Sequence, residues 1–107
     1  MEDKDVIKAL SALAQPHRLH IFRALVVKGR EGLTPAMLVE KLDMPANTLS
    51  FHLKELAHAE LISQERSGRN LIYRAQFDRM NALLAYLTQN CCEGDACLSE
   101  SANFCQC

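Results

Sequence analysis

A mainly α fold with a small β wing is predicted by the hydrophobic spacing of this 107-residue chain, a length typical of one domain. Apolar residues recur at helical intervals to about residue 59, alternate as in strands from 61 to 74, and return to helical intervals from Phe77. The order is helix, helix, short helix, tight turn, helix, hairpin, helix. That order predicts a winged helix-turn-helix, in which a short turn sets two helices at a steep angle.

The first three helices are predicted from apolar stripes and from helix boundary signals. Residues 5–14 form the first helix, which Gln15-Pro16 ends, and Pro16 opens the second. Thr34 and Pro35 provide an N-cap and a first-turn proline for a short third helix. The stripes are Val6, Leu10 and Leu13 in the first helix and Leu19, Phe22, Leu25 and Val26 in the second, and the third is expected to bury Met37, Leu38 and Leu42.

The fourth helix follows a tight turn at Asp43-Met44-Pro45 and runs from about Ala46 to Ala59. Its apolar stripe lies at intervals of four and three residues, which places one face in the core. The stripe consists of Leu49, Leu53 and Leu56. At about 100° per residue, the opposite face carries Asn47, Phe51, Lys54 and His58, flanked by Thr48, Ser50 and His52.

The change to strand spacing predicts a hairpin whose two halves meet at the glycine turn Ser67-Gly68-Arg69. The segment from Arg66 to Arg74 contains three arginines and no acid, so the hairpin is locally basic. The last helix runs from Phe77 to about Asn90, with an apolar stripe at Met80, Leu83, Leu84 and Leu87.

Composition excludes several classes of protein. The chain is 49% hydrophobic, enough for a core, yet no apolar run approaches the ~18 residues of a membrane span, so no membrane partner is expected. The N-terminus lacks the basic start and apolar stretch of a signal peptide, which predicts a cytoplasmic location where thiols stay reduced. No nucleophile–base pattern, phosphate loop or cofactor fingerprint is present, and we expect no enzymatic activity.

The fourth helix and the hairpin together predict a surface that binds double-stranded DNA. Small polar residues near a helix N-terminus can reach base edges or phosphates in a major groove, and an arginine at a turn can enter a minor groove or meet phosphate. Two alternatives stay open: Phe51 and His52 pack under a neighbouring loop, and the arginines form a solvated turn. The candidate DNA-binding residues are Asn47, Thr48, Ser50, Phe51, His52, Lys54, Arg66, Arg69 and Arg74.

All five cysteines lie within residues 91–107, and the first 90 residues contain none. We therefore expect a winged helix-turn-helix DNA-binding and dimerisation domain at residues 1–92 and a flexible cysteine-containing tail at residues 93–107. Soft thiolates select thiophilic ions. Zinc is an alternative, although the spacings differ from the Cys-x₂₋₄-Cys pairs of structural zinc sites. Thiol oxidation, persulfide sensing and an inert terminus are further alternatives.

Residues 48–56 (Thr-Leu-Ser-Phe-His-Leu-Lys-Glu-Leu), within the stretch 38–62, resemble the helix-turn-helix of the ArsR/SmtB metal-responsive repressors. Residues 16–19 and 68–73 are similar to that family too, and the resemblance covers residues 5–92. It implies a homodimeric repressor that requires no cofactor and leaves operator DNA when an inducer binds.

The inducer site differs between subgroups of this family. In one arsenic-sensing subgroup, cysteines lie on the helix before the DNA-reading helix, which here is the fourth helix; the third helix of this chain has no cysteine. Another subgroup binds zinc on the last helix through Asp and His, but here Asp78 has no partner histidine, because none occurs after His58. Residues 86–97 instead resemble the arsenite-responsive subgroup with a vicinal cysteine pair at the end of the last helix. This implies an arsenic(III) or antimony(III) site at Cys91, Cys92 and Cys97, with Cys105 and Cys107 as possible additional ligands.

The stripes of the first and last helices predict a twofold homodimer interface, with intradomain core as the alternative. A dimer would place two reading helices in successive major grooves. A different function also stays open, that of a small metal-binding buffer protein whose fold only resembles a DNA reader.

Overall fold

The predicted order of helices and hairpin is present in a computed structural model, which describes residues 1–91. The helices and strands are α1 (Asp3–Leu13), α2 (Pro16–Lys28), α3 (Pro35–Leu42), α4 (Ala46–His58), β1 (Ile62–Ser67), β2 (Asn70–Ala75) and α5 (Phe77–Thr88). A 3₁₀ turn at Gly29–Glu31 follows α2. The mainly α fold with a β wing is confirmed, whereas the predicted tail at residues 93–107 lies outside the described residues.

The starts of α2 and α3 are fixed by side chains that accept hydrogen bonds from the first turn. The Gln15 amide oxygen accepts from the Arg18 N–H at 3.0 Å. The Thr34 hydroxyl oxygen accepts from the Met37 N–H at 3.2 Å, and Pro35 occupies the first helical position. The cap predicted at Thr34 is therefore confirmed, and both prolines stand where a missing N–H costs no hydrogen bond.

The core lies where α2, α3 and α4 meet, and the leucine stripe of α4 is buried in it as predicted. Two expectations about the other helices are wrong. Met37 is 51% exposed while its neighbour Leu38 is fully buried, because adjacent helical positions point about 100° apart. Leu19 is exposed, and Ile21 takes its place in the core. Leu10 of α1 is exposed in the single chain, so it stays a candidate for the predicted dimer interface, and α1 packs through the small residues Ala9 and Ala12.

The wing is an antiparallel hairpin whose register runs from Ile62 opposite Ala75 to Ser67 opposite Asn70. Gly68 has a φ of +64°, which suits the first position of a two-residue hairpin turn. A further bridge was not predicted: the backbones of Leu33 and Tyr73 exchange two hydrogen bonds, at 2.9 and 2.8 Å. The segment after α2 is thereby joined to the base of the wing.

Helices α1 and α5 leave large apolar side chains exposed in the single chain. Ile7 and Leu10 of α1 are exposed, as are Leu84 and Leu87 of α5. The Tyr86 hydroxyl donates a hydrogen bond to the carboxylate of Asp3, at the start of α1. Across residues 1–91, each helix is too short or too polar to cross a membrane.

Candidate nucleic-acid interface

The outward face of α4 carries most of the candidate DNA-binding residues. Its apolar stripe is buried, so the opposite face is directed to solvent. Phe51 is 55% exposed at the middle of this face. Near the start of the helix, the Asn47 side-chain oxygen accepts a hydrogen bond from the Thr48 N–H at 2.9 Å. Asn47, Ser50, Phe51, Lys54 and His58 are exposed, and Thr48 is half-buried.

His52 differs from its neighbours and corrects the sequence-based placement. Its side chain is only 6% exposed, whereas the helical pattern placed it beside the outward face. Its Nδ1 accepts a hydrogen bond from Nε of Arg18, on α2, at 3.1 Å. His52 therefore packs between α4 and α2, whereas the alternative had expected both His52 and Phe51 to pack under a neighbouring loop. A direct contact of this side chain with a base does not fit its burial.

The environment of His52 favours the neutral imidazole. Burial lowers the pKa of His52 below 6.5, and the positive charge of Arg18 lowers it further. His17, whose ring centroid lies 5.5 Å from that of His52, acts in the same direction. Glu55 raises this pKa in opposition to these effects. An Nδ1 that accepts a hydrogen bond must be unprotonated, so the hydrogen bond and the pKa direction agree.

Arg18 also contacts the outward face of α4. Its guanidinium carbon lies 5.6 Å from the centroid of the Phe51 ring, a cation–π distance. The Phe51 ring in turn meets His52 edge-on, with centroids 5.3 Å apart and an interplanar angle of 62°. Sequence reasoning assigned no function to Arg18, because the residues that it contacts lie more than 30 positions away; the Arg18–His52 separation is 34.

The three arginines of the wing have different surroundings. Arg66 and Arg69 are exposed at and near the hairpin turn. Arg74 lies at the base, where its Nε donates to the Arg30 carbonyl oxygen and its guanidinium pairs with Glu65, both at 2.6 Å. The basic segment thus has an acidic neighbour, one residue before the stretch from Arg66. Within residues 1–91, Arg66 and Arg69 near the tip form no ion pair, whereas Arg74 stabilises the base of the hairpin through its contacts with Glu65 and Arg30.

The predicted ion site is only partly within the described residues. Helix α5 ends at Thr88, and Asn90 adopts a left-handed φ of +58°. Cys91 follows and is half-buried. Residues 1–91 contain no group of three or more His, Cys, Asp or Glu side chains that would hold a metal ion. Cys92, Cys97, Cys105 and Cys107 lie outside the described residues, so the ligand set stays a prediction.

Comparisons with known proteins agree with this fold. Residues 13–65 match a helix-turn-helix domain family. The chain is 34% identical over 92 residues to the arsenical resistance operon repressor of Bacillus subtilis (strain 168), covering 80% of this chain and 84% of that protein.

Two solved structures show the same architecture. An ArsR-like transcriptional regulator from Rhodococcus sp. RHA1 superposes with a TM-score of 0.75 at 23% identity, over 94% of this chain and 92% of the other. The homodimeric winged helix-turn-helix DNA-binding domain of Mb0332 from Mycobacterium bovis has a TM-score of 0.65 at 24% identity, over 90% and 94%.

An outward-facing second helix of a helix-turn-helix, beside a wing with an arginine tip, defines a DNA-binding transcription regulator. The fold is a winged helix-turn-helix, as in the ArsR-like regulator from Rhodococcus sp. RHA1. The extent of identity to the Bacillus subtilis repressor decides the family. The chain belongs to the ArsR family of transcriptional repressors. Its membership of the cysteine-containing subgroup stays a prediction.

Proposed function

We propose that this chain is a cytoplasmic, homodimeric repressor that releases operator DNA when arsenic(III) or antimony(III) binds Cys91, Cys92 and Cys97. The observation that carries the proposal is the position of Cys91, three residues after the end of α5, the helix that leaves Leu84 and Leu87 exposed. An ion held there would act at the end of the proposed dimer helix. The similarity to the arsenical resistance operon repressor of Bacillus subtilis supports this class of inducer.

DNA binding would use two surfaces of each subunit. The outward face of α4 would enter a major groove, where Asn47, Ser50 and Lys54 reach base edges or phosphates. Arg69 at the wing tip would meet a minor groove or a phosphate, with Arg66 beside it. We assign Arg74 a supporting role, because its Nε already bonds the Arg30 carbonyl oxygen and one terminal nitrogen pairs with Glu65.

Dimerisation would bury the apolar sides of α1 and α5 that one chain leaves exposed. A twofold axis along these helices pairs Ile7, Leu10, Leu84 and Leu87 with the same surface of a second copy. The Mb0332 domain, which has the same fold, is homodimeric. Two reading helices related by such an axis match two half-sites one DNA turn apart.

Trivalent arsenic and antimony suit a site made only of thiolates, since both are soft ions of low coordination number. Three cysteines are sufficient for such an ion, whereas a tetrahedral zinc site needs a fourth ligand. Cys105 and Cys107 would be dispensable under this proposal. Coupling between ion and DNA then requires only that each prefers a different state of the dimer.

The inducer site is tested by titrating arsenite into a complex of the protein with the DNA upstream of its own gene. We expect release by the wild type, no release by Cys91→Ser/Cys92→Ser, and unchanged release by the matched control Cys105→Ser/Cys107→Ser. Arsenic-edge absorption spectroscopy should count three sulfur neighbours in the wild type. Release by the first double variant, or a fourth sulfur, would refute the ligand set.

The DNA surface is tested separately, without inducer. We expect Arg69→Ala and Ser50→Ala each to weaken binding by roughly tenfold, since a charged or base-edge hydrogen bond is worth on the order of 1.5 kcal/mol. Arg23→Ala, which removes an exposed charge from α2, is the matched control and should bind normally. Equal binding by all three variants would exclude this surface. Arsenite uptake without any DNA binding would favour a metal-buffering protein.

A further inference from the structure

Arg18 lies at the junction between α2 and the outward face of α4. It is the third residue of α2, it is half-buried, and it contacts two adjacent residues of α4 through different parts of its side chain. Nε donates to Nδ1 of His52, and the guanidinium carbon lies 5.6 Å from the Phe51 ring centroid. The guanidinium thus lies next to the most exposed large apolar side chain of that face.

We propose that Arg18 is a further DNA-phosphate ligand, and that neutral His52 positions its guanidinium beside Phe51 on the DNA-facing surface. The proposal rests on the DNA-binding role assigned to α4. Arg18 would act by contact with phosphate, whereas His52 is a positioning residue that acts through Arg18. This role differs from the base contact first expected of His52.

The hydrogen bond of Arg18 to His52 leaves the terminal guanidinium nitrogens of Arg18 available to bind a phosphate. Hydrogen bonding through Nε occupies one of the guanidinium's N–H donors, and the terminal nitrogens carry the others. No ion pair within residues 1–91 involves Arg18, and no buried side-chain nitrogen of that part of the chain lacks a partner. A planar guanidinium held at one edge and against one ring presents its remaining edge in a fixed direction, which suits bidentate phosphate binding.

The identity of His52 matters because its Nδ1 must accept a hydrogen bond. Protonation would turn this acceptor into a donor that faces another donor, and would place two cations side by side. The ionisable groups acting on His52 are Arg18 and His17 of α2 and Glu55 of α4. Lys8 of α1 lines the same cleft as Arg18 and Glu55, so α1 adds positive charge to this junction. Protonation of His52 is thus disfavoured while the junction is intact, and acid would release Arg18 from its position.

Two consequences distinguish this role from simple packing. Log affinity falls as log salt rises, and each lost phosphate contact makes this negative slope shallower by about 0.9. For a twofold dimer, which loses two contacts, the change is about 1.8. A packing defect alone leaves that slope unchanged. Positioning by neutral His52 also makes DNA affinity depend on pH in a way that a non-titrating acceptor would not.

The test measures binding of the full chain to the DNA upstream of its own gene by fluorescence anisotropy, across a salt series at pH 7.5 and at pH 5.5. At pH 7.5 we expect Arg18→Ala to bind at least tenfold more weakly, with the salt slope reduced by about 1.8. Arg23→Ala is the control on the same helix and should keep the slope. His52→Leu should resemble Arg18→Ala, because it removes the acceptor.

His52→Asn supplies the decisive comparison, because its amide oxygen stands near the position of Nδ1 and does not titrate. It should keep the affinity and slope of the wild type at pH 7.5. The ratio of affinities at pH 7.5 and pH 5.5 should be larger for the wild type than for His52→Asn. The two proteins differ only at residue 52, so the comparison tests whether the acceptor at this position titrates.

The proposal is overturned if folded Arg18→Ala keeps the wild-type salt slope, or if His52→Leu and His52→Asn bind DNA alike. If Arg18→Ala does not fold, the His52 pair and its pH ratios decide the question. Absence of DNA binding by the wild type would instead refute the function assigned to α4. The two failures are therefore distinguishable.

Discussion

Helix α4 buries all three leucines of its apolar stripe within one subunit, whereas α5 buries Leu83 and leaves Leu84 and Leu87 exposed. The core at the centre of the molecule, where α2, α3 and α4 meet, thus contains the whole leucine stripe of α4 in a single chain. The apolar stripe of α5 is only partly buried, and α1 likewise leaves Ile7 and Leu10 exposed. Under the proposed dimer, folding and dimerisation would use separate sets of residues, which substitutions can separate.

The largest expected effect is a loss of stability at the centre. Leu56 is fully buried, and Leu56→Ala should lower the free energy of unfolding by about 2–5 kcal/mol, because it removes buried methyl groups and leaves a cavity. Chemical denaturation followed by circular dichroism measures this change. Leu87→Ala is the control, and its effect should depend on protein concentration. A concentration-independent loss of equal size for Leu87→Ala would mean that α5 belongs to the subunit core.

The next largest effect should be on assembly. Replacing both Leu84 and Leu87 by glutamate places charges on the exposed side of α5, and a twofold interface brings like charges together at a cost of several kcal/mol. We expect the Kd of the dimer to rise by about two orders of magnitude. Sedimentation equilibrium measures this Kd, and thermal unfolding of the monomeric variant shows whether the core of the subunit is still folded. A dimer that persists at wild-type affinity would assign the interface to another surface.

A smaller effect is expected at the base of the wing. Gly32 has φ +74° and ψ 178°, a region that essentially only glycine adopts. An added Cβ would also lie 2.7 Å from the Tyr73 carbonyl oxygen. Gly32→Ala should therefore lower the free energy of unfolding by about 1–3 kcal/mol, as measured by denaturant titration.

Gly29→Ala is the matched control, because Gly29 has the same φ but no atom within 4 Å of the added Cβ. Gly29→Ala should lower the free energy of unfolding by less than Gly32→Ala does. Equal losses would show that the backbone conformation alone determines the effect, and that the close approach of Gly32 to the wing does not contribute.

The smallest effect concerns pH and the junction of α2 with α4. The pKa of His52 is lowered in the folded state, so the unfolded chain takes up this proton first as pH falls. The contribution of His52 to the free energy of unfolding is therefore complete above pH 6.5 and declines as pH falls from 6.5 toward the folded-state pKa. His52→Asn should show a shallower decline than the wild type between pH 7.5 and 5.5 in thermal unfolding. A steeper decline would reverse the sign of this linkage.

The local periodicity of apolar residues was sufficient to predict much of the fold. The i, i+4, i+7 leucines predicted both the buried and the exposed side of α4, because a helix fixes the angle between positions. Thr34 and Pro35 predicted the start of α3 for an equally local reason. Where two candidates were adjacent, as with Met37 and Leu38, local pattern was not sufficient, because the neighbouring helices decide which one is buried.

Contacts between residues far apart in the sequence could not be predicted from local periodicity. No spacing rule brings Arg18 to His52, and the buried position of His52 followed only once α2 was packed against α4. The pairing of Arg74 with Glu65 was missed because the hairpin register, not the sequence order, brings them together. The candidate α4 and wing-tip residues could be named from sequence, while the division between exposed and supporting arginines required the fold.

Leu83 is the last buried residue of the part of the chain that the structure describes. Beyond the proposed interface residue Leu87, Gln89 and Asn90 are exposed, and replacements at surface positions typically cost less than about 0.5 kcal/mol. Selection can therefore alter the segment after Leu87 without first compensating for lost stability. A regulator built this way can acquire or exchange an inducer by a few point mutations while its DNA-reading half stays constant. Under the function proposed above, the same property makes this end of the chain a practical place to engineer ion selectivity.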